Sequence, residues 1–219
     1  MTELEAIEKR HSVRKFIRKP IDPEIVGQLK DKMEAVNKES GLHIQLFIDE
    51  PGAFDGNKPS YGSFSGCSNY FAIVGPKGKD EEVGYYGQKL VLFAEALGGN
   101  SCWVAVTYKK GAVKVDEAAG EKLYIVIALG YGETEGVQHR SKDASKVSDL
   151  TDDSPQWYKN GIRAALLAPT AINQQKFKIS RSGNKVTAKA GFGFYTGMDL
   201  GIVKYNFEVG AGRENFTWE

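Results

Sequence analysis

Cysteine is scarce in this 219-residue chain, which holds only Cys67 and Cys102. Two cysteines cannot staple a fold, and their spacing matches no metal motif. Free thiols are the expectation, and with no apolar leader at the N-terminus they point to a reducing, cytoplasmic setting. Histidine is equally sparse: His11, His43 and His139 lack ligand spacing, so no metal site is expected. Net charge is almost absent, with 29 Lys and Arg against 28 Asp and Glu. That balance removes the field that draws proteins to nucleic acid or acidic membranes, so neither is an expected partner. Any bound anion must be gripped by a local cluster. No apolar run approaches the ~20 residues that cross a bilayer.

What is present reads as one domain over residues 1–219, since a chain this long buries roughly 70% of its unfolded surface. Thr2 and Glu5 form a capping box for a short helix that would carry Leu4 and Ile7 inward and stop near His11. Asp22-Pro23 starts a second helix, with Ile25, Leu29 and Met33 at helical spacing. Leu42 to Ile48 and Tyr70 to Val74 read as strands, joined by a loop from Asp49 to Asn69. Val83 to Leu97 reads as a helix closed by Gly98-Gly99. Cys102 to Tyr108 is extended, and the apolar run Leu123 to Leu129 predicts a buried central strand. Residues 133–153 are a polar connection. A helix from Ser154-Pro155 to about Ala168, a hairpin turning at Ser182-Gly183-Asn184 and a helix from Gly197 to Gly210 complete the chain. Helices and strands mix without regular alternation, which argues for an α+β fold.

Two segments are rich in groups that carry chemistry. Arg10-His11-Ser12-Val13-Arg14 places two guanidiniums and a hydroxyl within five residues. An Arg fork matches phosphate oxygens or the edge of a planar heterocycle. A solvated basic helix end is the competing reading. Pro169-Thr170-Ala171-Ile172-Asn173-Gln174-Gln175 follows a helix, and its amides can read a heterocycle edge. An ordinary helix-to-strand turn is the competing reading there.

Together these segments resemble the nitroreductase family. Arg10, Ser12, Arg14 and Phe16 match its Arg-x-Ser-x-Arg/Lys-x-Phe signature. Pro169, Asn173 and Gln175 match its Pro-Ser-x-x-Asn-x-Gln-Pro-Trp signature, with Thr170 a conservative change and Lys176-Phe177 replacing Pro-Trp. Gly87 through Trp103 and Leu129-Gly130-Tyr131-Gly132 add two further matches. The resemblance implies an antiparallel-rich mixed sheet flanked by helices, and FMN held without a covalent bond. It implies that Arg10 and Ser12, with His11 between them, hold the phosphate and ribityl end, and that Arg14 sits near the N1/O2 edge of the ring. Trp103, Val104 and Ala105 would pass along the ring. Pro169, Thr170, Ala171, Asn173 and Gln175 belong to the segment that covers its other side, and Arg213 would reach the phosphate. The implied activity is ping-pong reduction of a small organic acceptor, such as a nitro compound or quinone, by NAD(P)H. A protein of the same fold that binds FMN or another nucleotide without reducing anything is the alternative. No catalytic side chain is required, because the cofactor carries the reaction.

One departure stands out. The Pro-Ser-Asn-Gln signature of the family lies about one helix beyond the Arg-Ser-Arg signature, whereas here it lies in the last third. Gly87, Phe93 and Gly98 recur as Gly201, Phe207 and Gly212. This leaves two arrangements: a monomer that is a fused pseudo-dimer, with halves 1–132 and 154–219, or a homodimer that completes each site between chains.

Overall fold

The computed structural model describes residues 1–55 and 63–219. The predicted loop from Asp49 to Asn69 lies partly outside them. The element order is α1 (Glu3–Lys9), β1 (Phe16–Ile17), α2 (Pro23–Ser40), β2 (His43–Phe47), β3 (Asn69–Pro76), α3 (Asp80–Ala96), β4 (Asn100–Val104), β5 (Glu121–Gly132), α4 (Ala144–Val147), α5 (Gln156–Leu166), β6 (Phe177–Ser182), β7 (Lys185–Ala190), α6 (Thr196–Ala211) and β8 (Thr217–Trp218). The fold is α+β, as expected. Its contacts resolve into two units: Met1, Lys9–Lys79 and Leu90–Gln138, and then Thr2–Glu8, Asp80–Lys89 and His139–Glu219.

The first unit is built on a five-stranded sheet whose strand pairs are all antiparallel. Its central strand is β5, whose apolar run is buried from Ile125 to Leu129. β5 pairs with β3 along its length, with β4 at residues 126–130 and with β1 at Tyr131 and Gly132. A bulge at Ile73/Val74 shifts the register of β3. One core holds Val13, Phe16, Phe54, Tyr70, Val104 and Val126. α2 starts where the sequence directs it: the Asp22 carboxylate accepts from the Glu24 amide at 2.8 Å, and Pro23 follows at N1. It ends at Gly41, which adopts the left-handed conformation.

The second unit centres on α6. Eleven of its sixteen residues are buried, so it is enclosed all round rather than laid on a surface. It packs along α5, and rings of Trp157, Tyr158, Phe207, Phe216 and Trp218 stack and tilt against one another with centroids 5.0–5.9 Å apart. Its buried polar groups are satisfied: Asn206 accepts from Gln88 and donates to the Ala164 carbonyl, while Glu208 accepts from Tyr85, Arg213 and Trp218. β6 and β7 form the predicted hairpin, and β8 adds in parallel to β7.

Several expectations shift. Leu4 faces solvent, and Ala6 joins Ile7 inward. The extended segment at Cys102 ends at Val104 instead of Tyr108. The polar connection 133–153 contains α4, capped by the Asp143 carboxylate on the Ser145 amide. Among the described residues no helix is long and apolar enough to cross a membrane, and no group of His, Cys, Asp and Glu could hold a metal.

Candidate functional site

In the first unit, the segment after α1 lies beside β4. The Val13 amide donates to the Ser101 carbonyl at 3.0 Å, and Ser12 bridges Ser101 in parallel. This brings Arg10, Ser12 and Arg14 to the strand that carries Trp103 and Val104. Ser12 is hydrogen-bonded to the Cys102 thiol, whose pKa is raised by burial and lowered in turn by Arg14 and Arg10. His11 is tied to the Glu135 carbonyl at 3.2 Å. Gly132 is required here: a Cβ on it would sit 2.4 Å from the Thr134 carbonyl oxygen and 2.9 Å from Val13. The Gly-Tyr-Gly match at the end of β5 thus has a packing cause. Arg14 is exposed, while Trp103 and Ala105 are half-buried and Val104 is buried.

Arg10 is the unusual member. Only 3% of it is exposed, yet its Nε and Nη1 find no hydrogen-bond partner among the described residues. Burial lowers its pKa, against the pull of Cys102 and Glu95. Glu95, on α3, is likewise buried with one oxygen, Oε2, unpartnered. Burial raises its carboxyl to about 7, with Arg10 and Lys9 opposing. Ser101 Oγ, on β4, is a fourth unpartnered buried atom. Leaving buried polar atoms unpaired costs on the order of 1–3 kcal/mol each, and more when they are charged. Structural cores seldom tolerate such a group, whereas sites that take a ligand do.

In the second unit, Pro169 to Gln175 forms a loop of left-handed backbone. Ile172, Asn173 and Gln175 have φ of 47°, 54° and 43°. A dense network fixes them. The Gln175 amide donates to Thr170 Oγ1 at 3.0 Å. Gln175 Nε2 donates to the Arg140 carbonyl and Asn173 Oδ1, and its Oε1 accepts from the Lys142 amide. Asn173 Nδ2 also donates to the Arg140 carbonyl. Beneath the loop lies Asp199, in the first turn of α6, which accepts from the Ala171 amide at 2.9 Å and from Gln174 Nε2 at 2.8 Å. Burial raises its carboxyl to about 6 despite those bonds. The loop is thus no ordinary turn: Asn173 and Gln175 spend their amides holding the backbone, leaving Ala171 and Ile172 toward the outside.

Arg213 is also in the second unit. Its Nε donates to Glu208 at 2.9 Å, and its raised pKa reflects bonds to Glu208 and Tyr205 that outweigh partial burial. Sequence reasoning missed Glu95, which lies 85 positions from Arg10 and outside any local pattern, and Asp199. Both are buried acids at helix ends, Glu95 in the last turn of α3 and Asp199 in the first turn of α6, and neither position announces burial in the sequence.

Residues 3–211 match the family model described as "Putative TM nitroreductase". The chain belongs to this nitroreductase family. Its fold is similar to that of a "putative nitroreductase" from Thermotoga maritima at 23% identity, with 98% of this chain and 85% of that chain covered and a TM-score of 0.70. A nitroreductase-like protein from Streptococcus mutans aligns at 15% identity and a TM-score of 0.54, covering 68% of this chain and 98% of its own. A protein from Parabacteroides distasonis described as "Putative NADH dehydrogenase/NAD(P)H nitroreductase" aligns at 16% identity and 0.52, covering 69% and 98%. At these identities the likeness concerns the fold. A search of curated proteins finds no significant match.

Proposed function

We propose that this nitroreductase-family protein is an FMN-dependent oxidoreductase that reduces a small organic acceptor with NAD(P)H. The observation that carries the reading is Arg10. A guanidinium with two enclosed, unused donors fits an oxyanion partner, and it stands where the family signature has its phosphate-binding arginine. Ser12 supplies a hydroxyl beside it, and Glu95 lies behind as a counter-charge. Arg14, exposed one residue beyond Val13, is the cation for the flavin's N1/O2 edge, where it favours negative charge. The backbone from Trp103 to Ala105 carries the match to the segment that passes along the ring in the family, and the loop from Pro169 to Gln175 carries the match to the one that covers it. Arg213, in the second unit, has its Nε engaged with Glu208.

Bound FMN supplies the two-electron chemistry, taken from NAD(P)H in one half-reaction and given to the acceptor in the next. The chain's own residues bind, orient and shield. The test is direct. Purified protein titrated with FMN should bind one per chain, and stopped-flow mixing with NADH and with NADPH should bleach the bound flavin. No uptake at micromolar FMN defeats the flavin reading. Uptake without bleaching by either donor leaves a flavin-binding protein that is not an NAD(P)H reductase.

One flavin needs both residue sets, and each chain has one of each. A monomer, the fused pseudo-dimer, is the arrangement we propose. Mixing an Arg10→Ala chain with an Asn173→Ala chain tests it. Recovery of FMN binding in the mixture would establish a homodimer that builds its site from two chains.

A further inference from the structure

A cleft of about 180 Å³ opens in the first unit where three stretches of chain meet. They are the link from β1 to α2, the turn after β2 and the start of β3. No residue of the proposed flavin set lines it. The β2–β3 ladder ends at Phe47 and Tyr70. Beyond it Asp49 turns left-handed, with φ 58°, and its amide donates to the Asn69 side chain, Oδ1, at 3.0 Å. The Glu50 amide then reaches the Ser68 carbonyl at 2.7 Å. A liquid water takes ~30 Å³, so the cleft has room for about six. That suits a small molecule and excludes a nucleotide.

The lining carries unspent polar groups of both signs. Asn69 is 5% exposed, and Asp49 uses its Oδ1, so its Nδ2 donors have no partner among the described residues. Buried donors are normally paired, which makes this one a pointer to a ligand. Arg18 holds both oxygens of Asp55 with a single nitrogen, Nη2, at 3.2 and 3.3 Å, leaving the rest of its fork. Lys19 Nζ lies 4.6 Å from the centroid of the Tyr131 ring. A contact with a ring face steadies an ammonium without pairing its N–H bonds with an acceptor. Asp49 is the one carboxylate in the lining, and it is exposed. Ile21, Ile48 and Pro51 supply an apolar wall. Scattered surface charges would lack both that wall and the buried amide.

We infer that this cleft is a binding site for a small zwitterion, an α-amino acid with a short aliphatic side chain. Its carboxylate meets Arg18, Lys19 and the Asn69 amide, its ammonium meets Asp49, and its side chain lies on the apolar wall. Charge decides between the candidate ligands. Arg18 and Lys19 are balanced by Asp49 and Asp55, so the cleft as a whole favours a ligand without net charge. A simple carboxylate would meet Asp49 as a like charge, and a simple amine would meet Arg18 and Lys19 the same way. Only a molecule that carries both groups satisfies both ends. The inference does not depend on FMN, and its failure leaves the flavin reading as it stands.

Three probes share one carbon frame: L-valine, isovalerate, which lacks the ammonium, and isobutylamine, which lacks the carboxylate. Isothermal titration of the whole chain should show valine binding, with each of the other two weaker by roughly tenfold or more, the scale of one lost charge-assisted contact. Asp49→Asn keeps a residue type at ease in left-handed backbone, so the turn should survive. It should weaken valine by a similar factor while isovalerate binds no worse. Arg18→Gln changes an exposed side chain and should weaken valine and isovalerate together, leaving isobutylamine unchanged. Unchanged melting temperatures show that both variants fold. No heat with valine at tens of millimolar overturns the inference. Isovalerate binding as tightly as valine to the wild-type chain also overturns it, because the ammonium would then count for nothing. Valine binding that either substitution leaves unchanged overturns it as well, since the ligand would then lie outside the cleft.

Discussion

The segment from Arg10 to Arg14 and the loop from Thr170 to Gln175 carry their costs in different currencies. The first has ordinary backbone, since none of its residues is left-handed, and an unsatisfied side chain. The second has side chains bonded to their neighbours, Gln174 Oε1 excepted, and three residues of strained backbone. A buried cation with free donors awaits a charge, so its cost falls when an anion arrives. A strained backbone braced by amides awaits nothing; it holds a shape. The first segment is therefore expected to respond to pH and to phosphate, and the second to stay the same with or without ligand.

The largest effect should come from Glu95→Gln. In the wild type the folded-state carboxyl is raised from 4.5 to about 7. Its contribution to stability is complete below the unfolded pKa and is lost as pH rises through the folded one. That loss amounts to roughly 3 kcal/mol. Urea unfolding of the two proteins at intervals from pH 4 to pH 8 should show the variant gaining on the wild type by about that amount. Parallel pH curves would remove Glu95 as a titrating group.

Arg10→Ala should weaken FMN binding by roughly 2–3 kcal/mol, the scale of a lost charge-assisted bond. Arg14→Ala should slow flavin reduction more than it loosens the cofactor. Fluorescence titration and stopped-flow reduction separate the two. Small, equal effects would return the cluster to a solvated helix end. Gln175→Ala should cost about 2 kcal/mol of stability, because its buried side chain holds Arg140, Lys142 and Asn173 together. Denaturant unfolding at pH 7 measures it, and a loss below half that value would mean the loop is held chiefly by Thr170 and Asp199.

The smallest change should be a gain. Ile172→Gly relieves a β-branched residue at φ 47° on an exposed position, and relief less the added unfolded-state freedom leaves up to about 1 kcal/mol. A destabilised variant would show that the Ile172 side chain makes a contact that matters in the free protein.

Much of the fold was legible because its punctuation is local. Asp22-Pro23, the Gly183 turn and the apolar run of β5 each state their element within a few residues. The end of β4 was not, because Ala105 to Tyr108 keeps a strand-like composition after the ladder to β5 stops at Val104. α4 escaped for the opposite reason: one turn with a single buried residue, Val147, has no period to detect, although Asp143 was a usable cap. At the candidate site, the residue types at Arg10, Ser12, Arg14 and Asn173 stand in the sequence, but their burial and bonding do not. Burial of Arg10 is set by tertiary packing, and Glu95, 85 positions away on α3, pulls on its charge. Nothing about an isoleucine announces a left-handed backbone.

The enclosure of α6 bears on motion. A helix wrapped on every side opens only when its whole unit opens, so its amides should be among the last in the second unit to exchange with deuterium. Asp199 lies in its first turn and holds the amide of Ala171. A surface loop would ordinarily exchange in seconds. This one is moored to the slowest-opening part of the unit, and the Ala171 amide should exchange nearly as slowly as the helix beneath it.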